Sequence, residues 1–143
     1  MSKKWLIVSG AVVCSAFLLV GTNTLSQRTK GKTRLAATKY LMRCVNQPNC
    51  AGLAGLLKDP GPADAKAWDS AIAQASVLNE MGYVLMEDDR CPDGVWADAA
   101  KNLREGSAKV VAALQQKDLK GANAAFGTVT GACGSCHKAH KAG

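Results

Sequence analysis

The chain has 143 residues, enough for one domain with a short flanking segment, and nearly half of them are apolar while only 5% are aromatic. Alanine-rich composition with so few aromatics speaks against a β-sandwich and for helices meeting along small side chains. The formal charge of +7 is unevenly placed: residues 1–58 hold nine Lys/Arg and no acid, whereas residues 59–143 hold nine Lys/Arg against eleven acids. No basic patch interleaved with aromatics exists, which excludes nucleic-acid binding.

Lys3 and Lys4 precede an apolar run from Trp5 to Val20, the pattern of an export signal. Residues 1–22 are therefore read as a signal peptide or an uncleaved membrane anchor, with no clean Ala-x-Ala site to decide between them. Cys14 lies inside this run as an apolar cysteine. The basic residues Arg28, Lys30, Lys32 and Arg34 follow it, a flank suited to anionic headgroups although opposed to the usual charge rule for orientation. Residues 23–32 read as a polar tether, and residues 33–143 as the folded domain.

A first helix is expected from about Thr33 through Gln47, with Leu35, Thr38, Met42 and Val45 on one face. Pro48 should kink or interrupt it before Cys50 to Leu57 resume as far as Lys58. Asp59-Pro60-Gly61-Pro62 is a break, and Pro62 suits the first turn of a second helix with Trp68, Ala71/Ile72, Ala75, Leu78, Gly82 and Leu85 inward. The third helix opens at Cys91-Pro92-Asp93-Gly94, with either Cys91 or Asp93 as cap. Its stripe is Trp96, Ala99/Ala100, Leu103, Ser107, Val110 and Leu114. Asp118 should cap a fourth helix, whose stripe Leu119, Ala122, Phe126, Val129, Cys133, Cys136 and His140 alternates steps of three and four. Four stripes with short connections predict an all-α, antiparallel four-helix bundle preceded by a signal or anchor helix.

The chemistry is concentrated in Cys133-Gly134-Ser135-Cys136-His137. Two cysteines three apart on a helix present both thiols to the two vinyl groups of one porphyrin, and the adjoining histidine offers a neutral imidazole to the iron. The motif thus predicts one covalently attached haem c, held by Cys133 and Cys136, with His137 as proximal ligand. The competing readings are a disulfide, a thioredoxin-like dithiol and part of a zinc site. Zinc needs four ligands and only His140 lies nearby, while a redox dithiol belongs in a βαβ pattern that this chain lacks.

Over residues 33–141 the sequence resembles the cytochrome c-prime family, class II c-type cytochromes that end in this motif followed by an aromatic and a basic residue. Here His140 takes the aromatic's place and Lys141 supplies the charge. The resemblance implies a non-enzymatic, exported, periplasmic haem protein that carries electrons or binds small gases. It also implies that a residue near Met42 faces the free side of the haem, where a methionine makes a low-spin carrier and an apolar residue leaves iron open to nitric oxide or carbon monoxide. An arginine usual four residues earlier is replaced by Thr38. His140, one turn from His137, cannot reach the opposite haem face, so a sixth protein ligand must be Met42, the outsiders Met81 or Met86, or a lysine. Expected partners are redox proteins, with gaseous ligands, a membrane tether and a second copy of the chain as further candidates. Among the remaining thiols, Cys44–Cys50 across Pro48 is the favoured disulfide, against Cys50–Cys91 or three free thiols.

Overall fold

The computed structural model describes residues 31–141. The signal or anchor segment 1–22, most of the tether and Cys14 lie outside the described residues. Every extended element among those described is helical. Helix α1 begins as Thr38–Leu41, widens into a π-helical turn over Met42–Asn46 and continues as Gln47–Leu56; α2 is Ala65–Val84, α3 is Gly94–Gln115 and α4 is Leu119–His140. No helix among the described residues is long and apolar enough to cross a membrane.

Three of the four helices start on an aspartate. The side chains of Asp64, Asp93 and Asp118 accept from the backbone N–H of Ala67 (2.8 Å), Trp96 (2.9 Å) and Gly121 (2.8 Å). Each such cap satisfies an N–H that the helix itself leaves orphaned, contributing about 1 kcal/mol. Asp93, not Cys91, is therefore the α3 cap. The expected start of α2 at Pro62 gives way to Ala65, because Asp64 offers the capping acceptor that proline lacks.

Helix α1 departs most from its pattern. It begins five residues later than expected, leaving Leu35 86% exposed, and it passes through Pro48 without interruption. Proline has no N–H to donate and its ring would strike the carbonyl four residues back, that of Cys44. Widening the preceding turn relieves both problems: the N–H of Gln47 donates to the Met42 carbonyl five residues away. The wider turn also rotates the inner face, so that Asn46 is buried and Val45 only half-buried.

The stripes of α2, α3 and α4 form the core, and every expected inward position of α3 is buried. Small residues let the helices close up, as the composition anticipated. A Cβ added at Gly82 would lie 2.9 Å from the Ala100 carbonyl oxygen, and one at Gly106 would lie 3.1 Å from Val129 Cγ2. Consecutive helices are neighbours, but among the described residues no Cα of α1 comes within 8 Å of one in α4. The bundle is thus wider along this seam than along the other three.

The segment just before α1 is pinned to the loop between α2 and α3. The Lys32 N–H donates to the Asp88 carbonyl (2.9 Å), while Thr33 N–H (2.8 Å), Thr33 Oγ1 (2.7 Å) and Arg34 N–H (2.8 Å) donate to the Asp88 carboxylate. Beside it, the 1% exposed Arg90 donates to the Ala36 carbonyl at 2.9 Å. The Arg34 N–H, then the Thr33 hydroxyl, lower the Asp88 pKa to about 2. Because the folded value is depressed below the ordinary ~3.9, this contribution is present above that value and is lost as pH falls through about 2. An NMR titration should show the Thr33 and Arg34 amide shifts following the Asp88 carboxyl with that midpoint, and Asp88→Asn should abolish the transition.

Candidate functional site

The end of α4 meets three other parts of the chain. Cys133 and Cys136 are half-buried on its inward face, whereas His137 beside them is exposed. The motif therefore lies on the packed face of a helix, as its place in the stripe predicted. Cys50 of α1 neighbours Cys133 across the wide seam, and that thiol together with burial pushes the Cys133 thiol up from its ordinary pKa. Burial also raises Cys136, helped by the nearby Asp93 carboxylate. A nucleophilic dithiol needs the opposite, a thiol lowered by a helix N-terminus or a cation. Here the cysteines sit in the last turns of a helix, at its negative end, which disfavours the redox-dithiol reading. The zinc reading lacks its ligands too: among the described residues no group of three or more His, Cys, Asp and Glu could hold a metal ion.

One turn past His137, the His140 ring packs edge-on against Trp96, with centroids 5.4 Å apart and an interplanar angle of 73°. Its Nε2 lies 3.3 Å from Asp93 Oδ1. Trp96 in turn donates its indole N–H to the Leu85 carbonyl at 2.8 Å. The last turn of α4 is thereby tied to the start of α3 and the end of α2. The aromatic position of the motif's trailing residues is filled by a side chain that stacks as an aromatic would and adds a polar contact.

Across the seam, α1 presents Met42, Asn46 and Cys50. The Asn46 Nδ2 donates to Met42 Sδ at 3.4 Å, and Asn46 Oδ1 is buried without a partner. The sequence pattern missed Asn46 by assigning Val45 inward at regular α-helical spacing; Pro48, which forces the wider turn, was the available signal. Met81 is buried in the core and Met86 is 37% exposed beyond the end of α2. Cys44, Cys50 and Cys91 are free thiols, so the expected Cys44–Cys50 disulfide is not formed. The reason is the uninterrupted helix: six residues separate the pair by about 9 Å along the axis, and Cys44 is exposed while Cys50 turns toward Cys133. Cys91 instead donates its S–H to the Asp93 carbonyl at 3.3 Å.

The family model for cytochrome c' matches residues 35–141, the whole bundle together with the motif. The chain belongs to the cytochrome c' family. No curated protein and no solved structure gives a match. Membership in the cytochrome c' family makes this a c-type haem protein with covalently bound haem, and the residues present fit that group. Two thiols stand one turn apart on a half-buried face, the facing helix is set back beyond ordinary packing distance, and a buried amide oxygen in that helix has no partner.

Proposed function

We propose that this cytochrome c' family member is a monohaem electron carrier, non-enzymatic by itself, exported by its N-terminal apolar segment to serve redox partner proteins. Bound haem supplies the one-electron cycling between ferric and ferrous iron. The chain's residues bind, orient and shield it. Cys133 and Cys136 would hold it through thioether bonds at its two vinyl groups, and His137 would offer its imidazole to the iron. The His140 contacts with Trp96 and Asp93 hold that turn of α4 in place.

The observation that carries the electron-transfer reading is the position of Met42. It precedes Cys50 by eight residues on α1, the helix whose Cys50 neighbours Cys133 of the motif, and it is partly buried against the core, which supports reading it as the ligand on the free side of the haem. A methionine opposite a histidine stabilises the ferrous state and raises the potential.

The test uses the full-length protein from an export-competent host. A pyridine haemochrome assay with intact mass should give one covalent haem per chain, and a colourless product sinks the proposal. The reduced spectrum should show sharp low-spin bands, and Met42→Ala should convert them to a broad high-spin pattern with unchanged haem content. A spectrum identical in the Met42→Ala variant would remove Met42 as ligand. A wild type that is already high-spin would move the function to binding nitric oxide or carbon monoxide.

A further inference from the structure

We propose that Asn46 is a positioning residue for the sixth iron ligand, its amide N–H fixing which lone pair of the Met42 sulfur faces the haem. The inference rests on the reading of Met42 as a ligand.

A thioether carries two lone pairs on a side chain with three rotatable bonds, so a methionine left to itself presents its sulfur in many directions. In this structure one of those lone pairs is engaged, since Asn46 Nδ2 donates to Met42 Sδ at 3.4 Å. The reverse orientation of the amide would set the Oδ1 lone pairs against those of sulfur, so the nitrogen-to-sulfur contact is the attractive one. The other lone pair is left for a metal.

The backbone provides the alignment. Met42 and Asn46 are the first and last residues of the π-helical turn, and Gln47 N–H closes that turn on the Met42 carbonyl. Local π turns recur at functional positions because they redirect side chains that an α-helix would space otherwise. Further along α1, Cys50 neighbours Cys133, so this is the helix that stands opposite the motif across the wide seam.

The burial of Asn46 supports a specific role. It is 8% exposed and its Oδ1 has no partner, a cost that a leucine of similar size would not carry. What the amide offers in return is a donor that an apolar side chain lacks. A donor on an axial sulfur also withdraws electron density from it and favours the ferrous state.

The experiment titrates ferric, full-length holoprotein with free imidazole, following loss of the sulfur-to-iron charge-transfer band. The wild type, Asn46→Leu, Met42→Ala and the double variant are compared, with haem content and helical circular dichroism recorded for each. With one hydrogen bond to sulfur removed, Asn46→Leu should weaken the band and raise the apparent imidazole affinity roughly fivefold, at unchanged haem content and helicity. In the Met42→Ala background the same substitution should change the affinity by less than about twofold, as expected when one residue acts through the other. If Asn46→Leu does not fold, Asn46→Ser leaves the donor out of reach with less change in volume, and Asn46→Gln should restore part of the effect. An unchanged band and affinity in Asn46→Leu, or an equal shift with and without Met42, overturns the proposal. A charge-transfer band that survives Met42→Ala overturns the underlying ligand assignment instead.

Discussion

Substituting His137 by alanine should leave covalent haem at the wild-type level while abolishing the proximal iron bond. The separation follows from how the motif is built. On the proposed reading attachment is the work of Cys133 and Cys136, which lie half-buried on the packed face of α4, whereas His137 is exposed and contributes no core packing. Its backbone carbonyl, which accepts from Lys141 N–H at 3.0 Å, is retained in the variant. A surface change of this kind costs within about 0.5 kcal/mol of stability, so the bundle should fold and the spectroscopic change should be large. His140 cannot take over, because it is held against Trp96 and Asp93 with only 14% of its side chain exposed. Free imidazole at about millimolar concentration should restore the wild-type bands, replacing the effective concentration that the tethered ring supplies. Haem content by pyridine haemochrome, the visible spectrum and its recovery with imidazole are the three measurements. An unchanged spectrum would show that His137 is not the ligand.

How much of this was legible in the sequence depended on how regular each helix is. In α3 and α4, uninterrupted stripes and aspartate caps give period and boundaries together; the structure buries the whole α3 stripe and Ala122 and Val129 of α4, and leaves Leu119, Phe126, Cys133, Cys136 and His140 half-buried. The haem motif was legible for the same reason, since its two cysteines continue the α4 stripe. Helix α1 defeats the same reasoning. Pro48 argues for a break, but the chain absorbs it by widening one turn, and Asn46 becomes buried beside Val45, which still packs half-buried against the core. The pinning of residues 32–34 by Asp88 was also hidden, because it joins segments 54 or more positions apart through one carboxylate and one carbonyl. The nearness of Cys50 to Cys133 belongs to the same class. Periodicity finds a helix face; only the packed bundle shows which thiol it neighbours.

Trp96→Ala is expected to cause the largest loss of stability of any single change at the haem end of the bundle. The ring is 7% exposed, and it links three helices: it packs in the core from α3, receives the edge of His140 from α4, and donates to the Leu85 carbonyl at the end of α2. Removing a buried indole costs about 3–5 kcal/mol for transfer and cavity together. The Leu85 carbonyl, left buried without its donor, adds to that cost. Against a domain stability of roughly 5–15 kcal/mol, thermal or urea denaturation of the haem-free chain should show a midpoint lowered by more than about 10 °C, or no cooperative transition at all. Trp96→Phe separates the two contributions. It keeps an aromatic face for His140 and loses the indole donor, so it should cost about 1–2 kcal/mol and preserve the haem spectrum. In the alanine variant the last turn of α4 loses its main support one turn beyond His137, and the haem spectrum should broaden even where the protein is still folded. Equal costs for the two substitutions would mean that the hydrogen bond to Leu85, and not the stacked ring, holds this end of the bundle together.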